Sequence, residues 1–149
     1  LAIKNASSTY KETTIITAGQ GQLIVMLYDE AVKQLTKAIN LLEEDNKQKK
    51  KDPGRIEQIN KAVMKTEEIL TELMVSLDFE QGGEISKNLF SLYTWFNREL
   101  IEANITKDIG RLSTVKKLLI ELRDSWSKIA SQNTVDHTNR EAVGLNIAG

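Results

Sequence analysis

Side chains able to do chemistry are scarce in this sequence, which holds one histidine, His137, and no cysteine among 149 residues. A thiol nucleophile, a thiolate metal site and a disulfide framework are thereby excluded. The missing cysteine suits a reducing compartment, and a cytoplasmic location is the expectation. A di-iron centre in a helical bundle needs Glu-x-x-His on each of two helices, more than a single histidine supplies. A zinc site wants several His or Cys, and the Asp, Asn and Gly spacing of a calcium loop is absent. His137 reads as an ordinary tail residue, and no metal or cofactor is expected.

Glu43-Glu44 and Glu67-Glu68 are the nearest thing to an acid–base couple. Adjacent positions on a helix point about 100° apart, so these carboxylates read as solvated faces. No phosphate-cradling Gly-x-x-x-x-Gly-Lys loop, dinucleotide fingerprint or nucleophile elbow occurs, and the expectation is a protein that is not an enzyme. The basic run from Lys47 to Lys51 is flanked by Asp45 and Asp52 and reads as a soluble connector. With 20 Lys+Arg against 21 Asp+Glu, the net charge of −1 gives no field for holding nucleic acid or an anionic membrane. No stretch approaches the roughly 18 apolar residues of a membrane span, and Leu1-Ala2-Ile3-Lys4-Asn5 carries neither the basic nor the apolar region of a signal peptide.

The elements that carry these residues are helices. Apolar residues recur at spacings of three and four in four series. The first pairs the row Ile24, Leu27, Ala31, Gln34, Ala38, Leu41, in which Gln34 is polar, with the row Val25, Tyr28, Val32, Leu35, Ile39, Leu42. The second runs from Ile56 through Ile59, Val63, Thr66, Leu70 and Leu73 to Leu77. Ile85, Leu89, Leu92, Phe96, Leu100 and Ala103 form the third, and Leu112, Val115, Leu119, Leu122, Trp126 and Ile129 the fourth. Asp52-Pro53-Gly54 and Gly82-Gly83 break the series where helices should end. Asn104 is expected to take the left-handed conformation that ends a helix, with Thr106 or Asp108 capping the next. Four helices of about 18 to 24 residues on short connections predict an all-α, antiparallel up-down-up-down four-helix bundle. The bundle is expected over residues 19–131, between a flexible N-terminal segment, 1–18, and a C-terminal tail, 132–149.

Apolar surface exceeds what a bundle needs. Helix 1 adds Leu23, Val25 and Met26 around Leu27-Tyr28, and helix 3 adds Phe90, Tyr93, Trp95 and Ile101. A helix apolar most of the way round is covered or binds something, and the set favours an amphipathic partner segment laid in a groove.

Specific words in the sequence sharpen this. Thr17-Ala18-Gly19-Gln20-Gly21-Gln22-Leu23-Ile24-Val25-Met26-Leu27-Tyr28-Asp29-Glu30-Ala31 resembles the helix-1 signature of FliS, the flagellin-specific export chaperone family. Leu77-Asp78-Phe79-Glu80-Gln81-Gly82-Gly83-Glu84-Ile85 with Ser86 to Tyr93 resembles that family's second-turn motif. Glu102-Ala103-Asn104-Ile105-Thr106-Lys107-Asp108, followed by Leu122-Arg123-Asp124-Ser125-Trp126, resembles its helix-4 ending. Order and spacing agree from Tyr10 to Ile129. Family members commonly open helix 1 with proline, where Gln20 stands here.

The resemblance implies a cytoplasmic chaperone that binds the C-terminal region of flagellin, prevents premature polymerisation and delivers it to the flagellar type III export apparatus. The export-gate cytoplasmic domain is the second partner it implies. Client contacts are expected from Tyr10, Ile15 and Ile16 in the N-terminal segment, from Met26, Leu27, Tyr28 and Asp29 on helix 1, and from Tyr93, Trp95 and Phe96 on helix 3. Leu27 and Phe96 also carry core stripes, and Asp29 either pairs with a client cation or favours the helix N-terminus. Neither nucleic acid nor membrane insertion is expected, and the chain is expected to be a monomer or weak homodimer. The alternative is a structural helical module whose extra apolar rows close a homodimer.

Overall fold

The computed structural model describes residues 18–148, and the side chains of residues 20–132. Four helices follow one another: α1, Ala18–Lys47; α2, Pro53–Val75; α3, Phe79–Thr106; and α4, Ile109–Ala148. Short connections reverse the chain each time. α1 packs against α2 and α4, and α3 closes the ring between those two, giving the antiparallel four-helix bundle that the four apolar series predict.

α2, α3 and α4 start where a carboxylate can occupy unpaired backbone N–H groups. Asp52 accepts from the Gly54 N–H at 2.9 Å, with Pro53 in the first turn of α2, where its missing N–H costs nothing. Asp78 accepts from the Glu80 and Gln81 N–H groups, both at 3.0 Å, and opens α3 five residues earlier than Gly83. Asp108 accepts from the Arg111 N–H at 3.2 Å and caps α4.

One expectation is corrected. The left-handed residue between α3 and α4 is Lys107, at φ 54° and ψ 49°, and Asn104 stays inside α3. Lys107 is held there because its ammonium donates to the side-chain oxygens of Asn60, at 2.5 Å, and Asn104, at 2.6 Å. In the C-terminal segment the helical backbone of α4 continues, running for 40 residues, through 132–148. No proline interrupts it, and the propensity cost of the Asn and Thr residues there is at most about 0.7 kcal/mol each. α1 begins at Ala18, ahead of Gln20, so the absent proline does not delay it.

The four series converge on one core. Tyr28, Leu35, Leu42, Ile59, Leu70, Phe96, Leu100 and Leu119 are fully or almost fully buried. At the end where α1 runs into α2, Asp45 is buried and accepts from Lys51 at 3.0 Å and Arg55 at 3.1 Å. These hydrogen bonds, Lys51 first, hold its carboxyl below the usual carboxylate range against the opposing effect of desolvation. The Lys-rich connector is thus pinned to the bundle.

Candidate binding groove

At the opposite end of the bundle the packing opens into a groove of about 410 Å³. It lies among the first turns of α1, the C-terminus of α2, the N-terminus of α3 and the middle of α4. Ile24, Leu73, Leu77, Ile85, Leu89 and Ile129 give it apolar walls, with Tyr93 and Trp126 among them. Gln20, Gln81, Ser76, Ser86 and Asp78 supply the polar positions.

Glycines set its shape. A Cβ built on Gly21 would lie 3.0 Å from the Ala130 Cβ, a tight contact, so glycine there favours the close approach of α1 to α4. Gly83, at φ 50° and ψ −122°, breaks the helical geometry of α3 one turn after its start. Ser86 fastens the break by donating its hydroxyl to the Asp78 carbonyl at 2.8 Å. Ile85, beside this break, is 70% exposed on the groove wall and not in the core its stripe predicts.

Behind the groove the hydroxyls of Tyr28 and Tyr93 meet at 2.5 Å, both buried. Their ring centroids lie 6.5 Å apart in a tilted arrangement. Burial pushes both phenols up from the ordinary tyrosine range, so the pair stays neutral at physiological pH. Tyr93 borders the groove, yet it is as deeply buried as Tyr28.

The sequence-derived contact residues separate into groups. Leu27, Tyr28, Tyr93 and Phe96 all lie in the core, and Tyr93 also lines the groove. Trp95 is half-buried, with its ring 5.7 Å from that of Phe96. Met26 is 64% exposed on α1. Asp29 is exposed and accepts from Arg123 on α4. Tyr10, Ile15, Ile16 and the His137 side chain lie outside the described residues. Sequence reasoning missed Ile24, Leu77, Ile85, Leu89 and Ile129 as wall residues because each continues a core stripe. The available signal was their place at stripe ends beside Gly21, Gly82 and Gly83.

Further apolar side chains are exposed along α2 and α3 outside the groove walls. Met64, Val75, Phe90, Ile101 and Ile105 are exposed there, and Phe79 meets Phe90 edge to face at 5.9 Å between centroids. Among the described residues no group of three or more His, Cys, Asp or Glu is arranged to hold a metal ion, and no helix is long and apolar enough to cross a membrane.

The described residues thus form a four-helix bundle with an open apolar groove at one end and further exposed apolar side chains on α2 and α3. Residues 3–133 match the family model described as flagellar protein FliS. The chain is 33% identical over 129 residues to the flagellar secretion chaperone FliS of Salmonella typhimurium, covering 86% of this chain and 89% of that one. It is 31% identical to the Escherichia coli chaperone of the same name, covering 78% and 80%, and 28% identical to that of Bacillus subtilis, covering 91% and 94%. The match across nearly the whole bundle, together with its four-helix architecture, places this chain in the FliS family of flagellar secretion chaperones.

Proposed function

We propose that this protein is a cytoplasmic export chaperone that captures the C-terminal segment of flagellin, prevents its premature polymerisation and hands it to the type III export apparatus. The observation that supports this most is the apolar groove at the bundle end, continued in character by the exposed apolar residues of α2 and α3. A segment that buries an apolar helical stripe in a filament exposes that stripe when free, and covering it removes the drive to assemble. A client folding on the bundle would bury about 1,000 to 3,000 Å² and would lose roughly 2 to 5 kcal/mol of the gross interaction to ordering. Capture of this kind runs on binding energy alone. The export-gate cytoplasmic domain is the partner that would receive the loaded chaperone.

Titration calorimetry against a peptide of the flagellin C-terminal segment, with mass measurement by light scattering, tests this. A one-to-one complex with a negative heat-capacity change and added helicity is the expected result. The second reading, a homodimer closed through apolar side chains left exposed on the bundle, is favoured by exposed Ile101 and Ile105. It predicts a stable dimer without client and no heat on titration.

A further inference from the structure

A carboxylate without a counter-ion stands on α2. Glu72 is only 7% exposed, and its side chain has neither a hydrogen bond nor an ion pair among the described residues. Asn97 Oδ1 is the one side-chain oxygen or nitrogen of the described residues that is both sealed from solvent and unpartnered. The Glu72 carboxylate is therefore reached from outside although its stem is covered. It borders a hollow of about 290 Å³ on α2, together with Met64, Glu67, Glu68 and Thr71. None of these residues belongs to the apolar groove. Glu67 has no side-chain partner either, and burial pushes its carboxyl up from the usual carboxylate range. Glu68 meets only the exposed Lys65, one turn away at 3.7 Å.

A covered carboxylate without a cation is costly, and the cost is recovered when a cation enters. Among the described residues no group of three or more His, Cys, Asp or Glu is arranged to hold a metal ion, so the fitting cation brings its own donors. Guanidinium suits the hollow better than ammonium. It is more weakly hydrated, and its planar fork of five N–H donors serves two carboxylates at once. Met64 and Val75, both more than half exposed, share one face of α2 with Thr71, seven residues after the first and four before the second. Apolar side chains on either side of the cation would meet them. We propose that this acidic hollow is a docking site for an arginine carried between apolar residues on a partner polypeptide. Glu72 and Glu67 receive its guanidinium, and Met64 covers its aliphatic stem. The site goes beyond client capture in the groove and does not depend on it.

Calorimetry with a short blocked peptide bearing one arginine between leucines, and with its citrulline counterpart, tests this. Citrulline keeps the shape of arginine without the charge. The arginine peptide is expected to bind at least about tenfold more tightly, the worth of hydrogen bonds between charged groups. Glu72→Gln is expected to weaken its binding by a similar factor. Glu57→Gln, an equal change of charge at an exposed position of α2, is expected to stay within about twofold. Denaturation separates the site from the scaffold: Glu72→Gln removes an unpaired covered charge, so the variant should be at least as stable as wild type while it binds less. Equal binding of the two peptides overturns the site, and so does an equal loss from Glu57→Gln. A Glu72→Gln variant less stable than wild type overturns it too, because the carboxylate then has a partner within the fold. A peptide-free dimer, seen by light scattering and dissociated by Glu72→Gln, gives the hollow to a second copy and overturns the partner. Binding of the flagellin C-terminal peptide is read separately, so either proposal can fail alone.

Discussion

Arg123 on α4 donates through its Nε to the Asp29 carboxylate on α1, joining residues 94 positions apart across the seam between the two most closely packed helices. The same guanidinium reaches Asp124 at 3.2 Å. Asp29 thus has a cation of its own within the bundle. Both partners are solvent-exposed, and exposed ion pairs contribute little because water screens them and long side chains lose freedom. Asp29→Ala and Arg123→Ala are each expected to lower the melting temperature slightly, and the difference from wild type should vanish at about 1 M salt. A double-mutant cycle measured at low and high salt checks this. A large, salt-independent coupling would mean the pair is shielded in solution.

Asp45 is the contrasting case, because its carboxylate is almost wholly covered and held by Lys51 and Arg55. Its pKa is lowered in the folded protein, so the folded form binds a proton less readily than the unfolded chain. The stabilisation is present above the unfolded value near 4 and is lost as pH falls through the folded value. Asp45→Asn is expected to be less stable than wild type at neutral pH, and the gap should close in acid below about pH 4. Denaturant midpoints measured from neutral pH to acid decide it. A gap independent of pH would assign the loss to packing and not to charge.

Much of this was legible in the sequence because apolar spacing of three and four has one physical solution when it recurs four times. Tyr28, Leu35, Leu70, Phe96 and Leu119 are buried as their series predict. The groove was less legible. Ile24 and Leu89 belong to the same periodic rows as core residues, and periodicity reports which face is apolar, not where neighbouring helices part. The parting at this end depends on the Gly83 backbone and on Ser86 reaching Asp78, contacts that no spacing encodes. The Lys107 turn was hidden for a related reason. Asn is the better left-handed residue in isolation, but the Asn60 contact from α2 fixes Lys107 there instead.

Burial also separates variants that test binding from variants that test folding. Leu27→Ala is expected to cost about 2 to 5 kcal/mol and Phe96→Ala about 3 to 5 kcal/mol, because both side chains lie in the closed core. Met26→Ala, one position from Leu27 but exposed, should stay within about 0.5 kcal/mol of wild type. Urea denaturation of the three variants gives the comparison. If Met26→Ala proves as damaging as Leu27→Ala, the first turns of α1 are rotated relative to the arrangement described.

Gly83 offers a sharper test, because its backbone and its surroundings pull apart cleanly. Its φ of 50° and ψ of −122° are unfavourable for an L residue, yet an added Cβ would meet nothing within 4 Å. The cost of Gly83→Ala is therefore backbone strain alone, about 1 to 3 kcal/mol. The neighbouring position differs: a Cβ on Gly82 would fall 1.8 Å from the Ser86 hydroxyl oxygen and would disturb the bond from Ser86 to Asp78. Reversing the chirality at Gly83 reverses the sign of the effect. The mirror image of its backbone angles is an ordinary extended conformation, so D-alanine placed there by semisynthesis meets no strain and removes freedom from the unfolded chain. That substitution is expected to stabilise the protein by about 0.4 to 1 kcal/mol. Denaturation of the L and D variants beside wild type checks both signs. If both variants destabilise, the residue must leave this conformation in solution, and the wall formed by Ile85 would move with it.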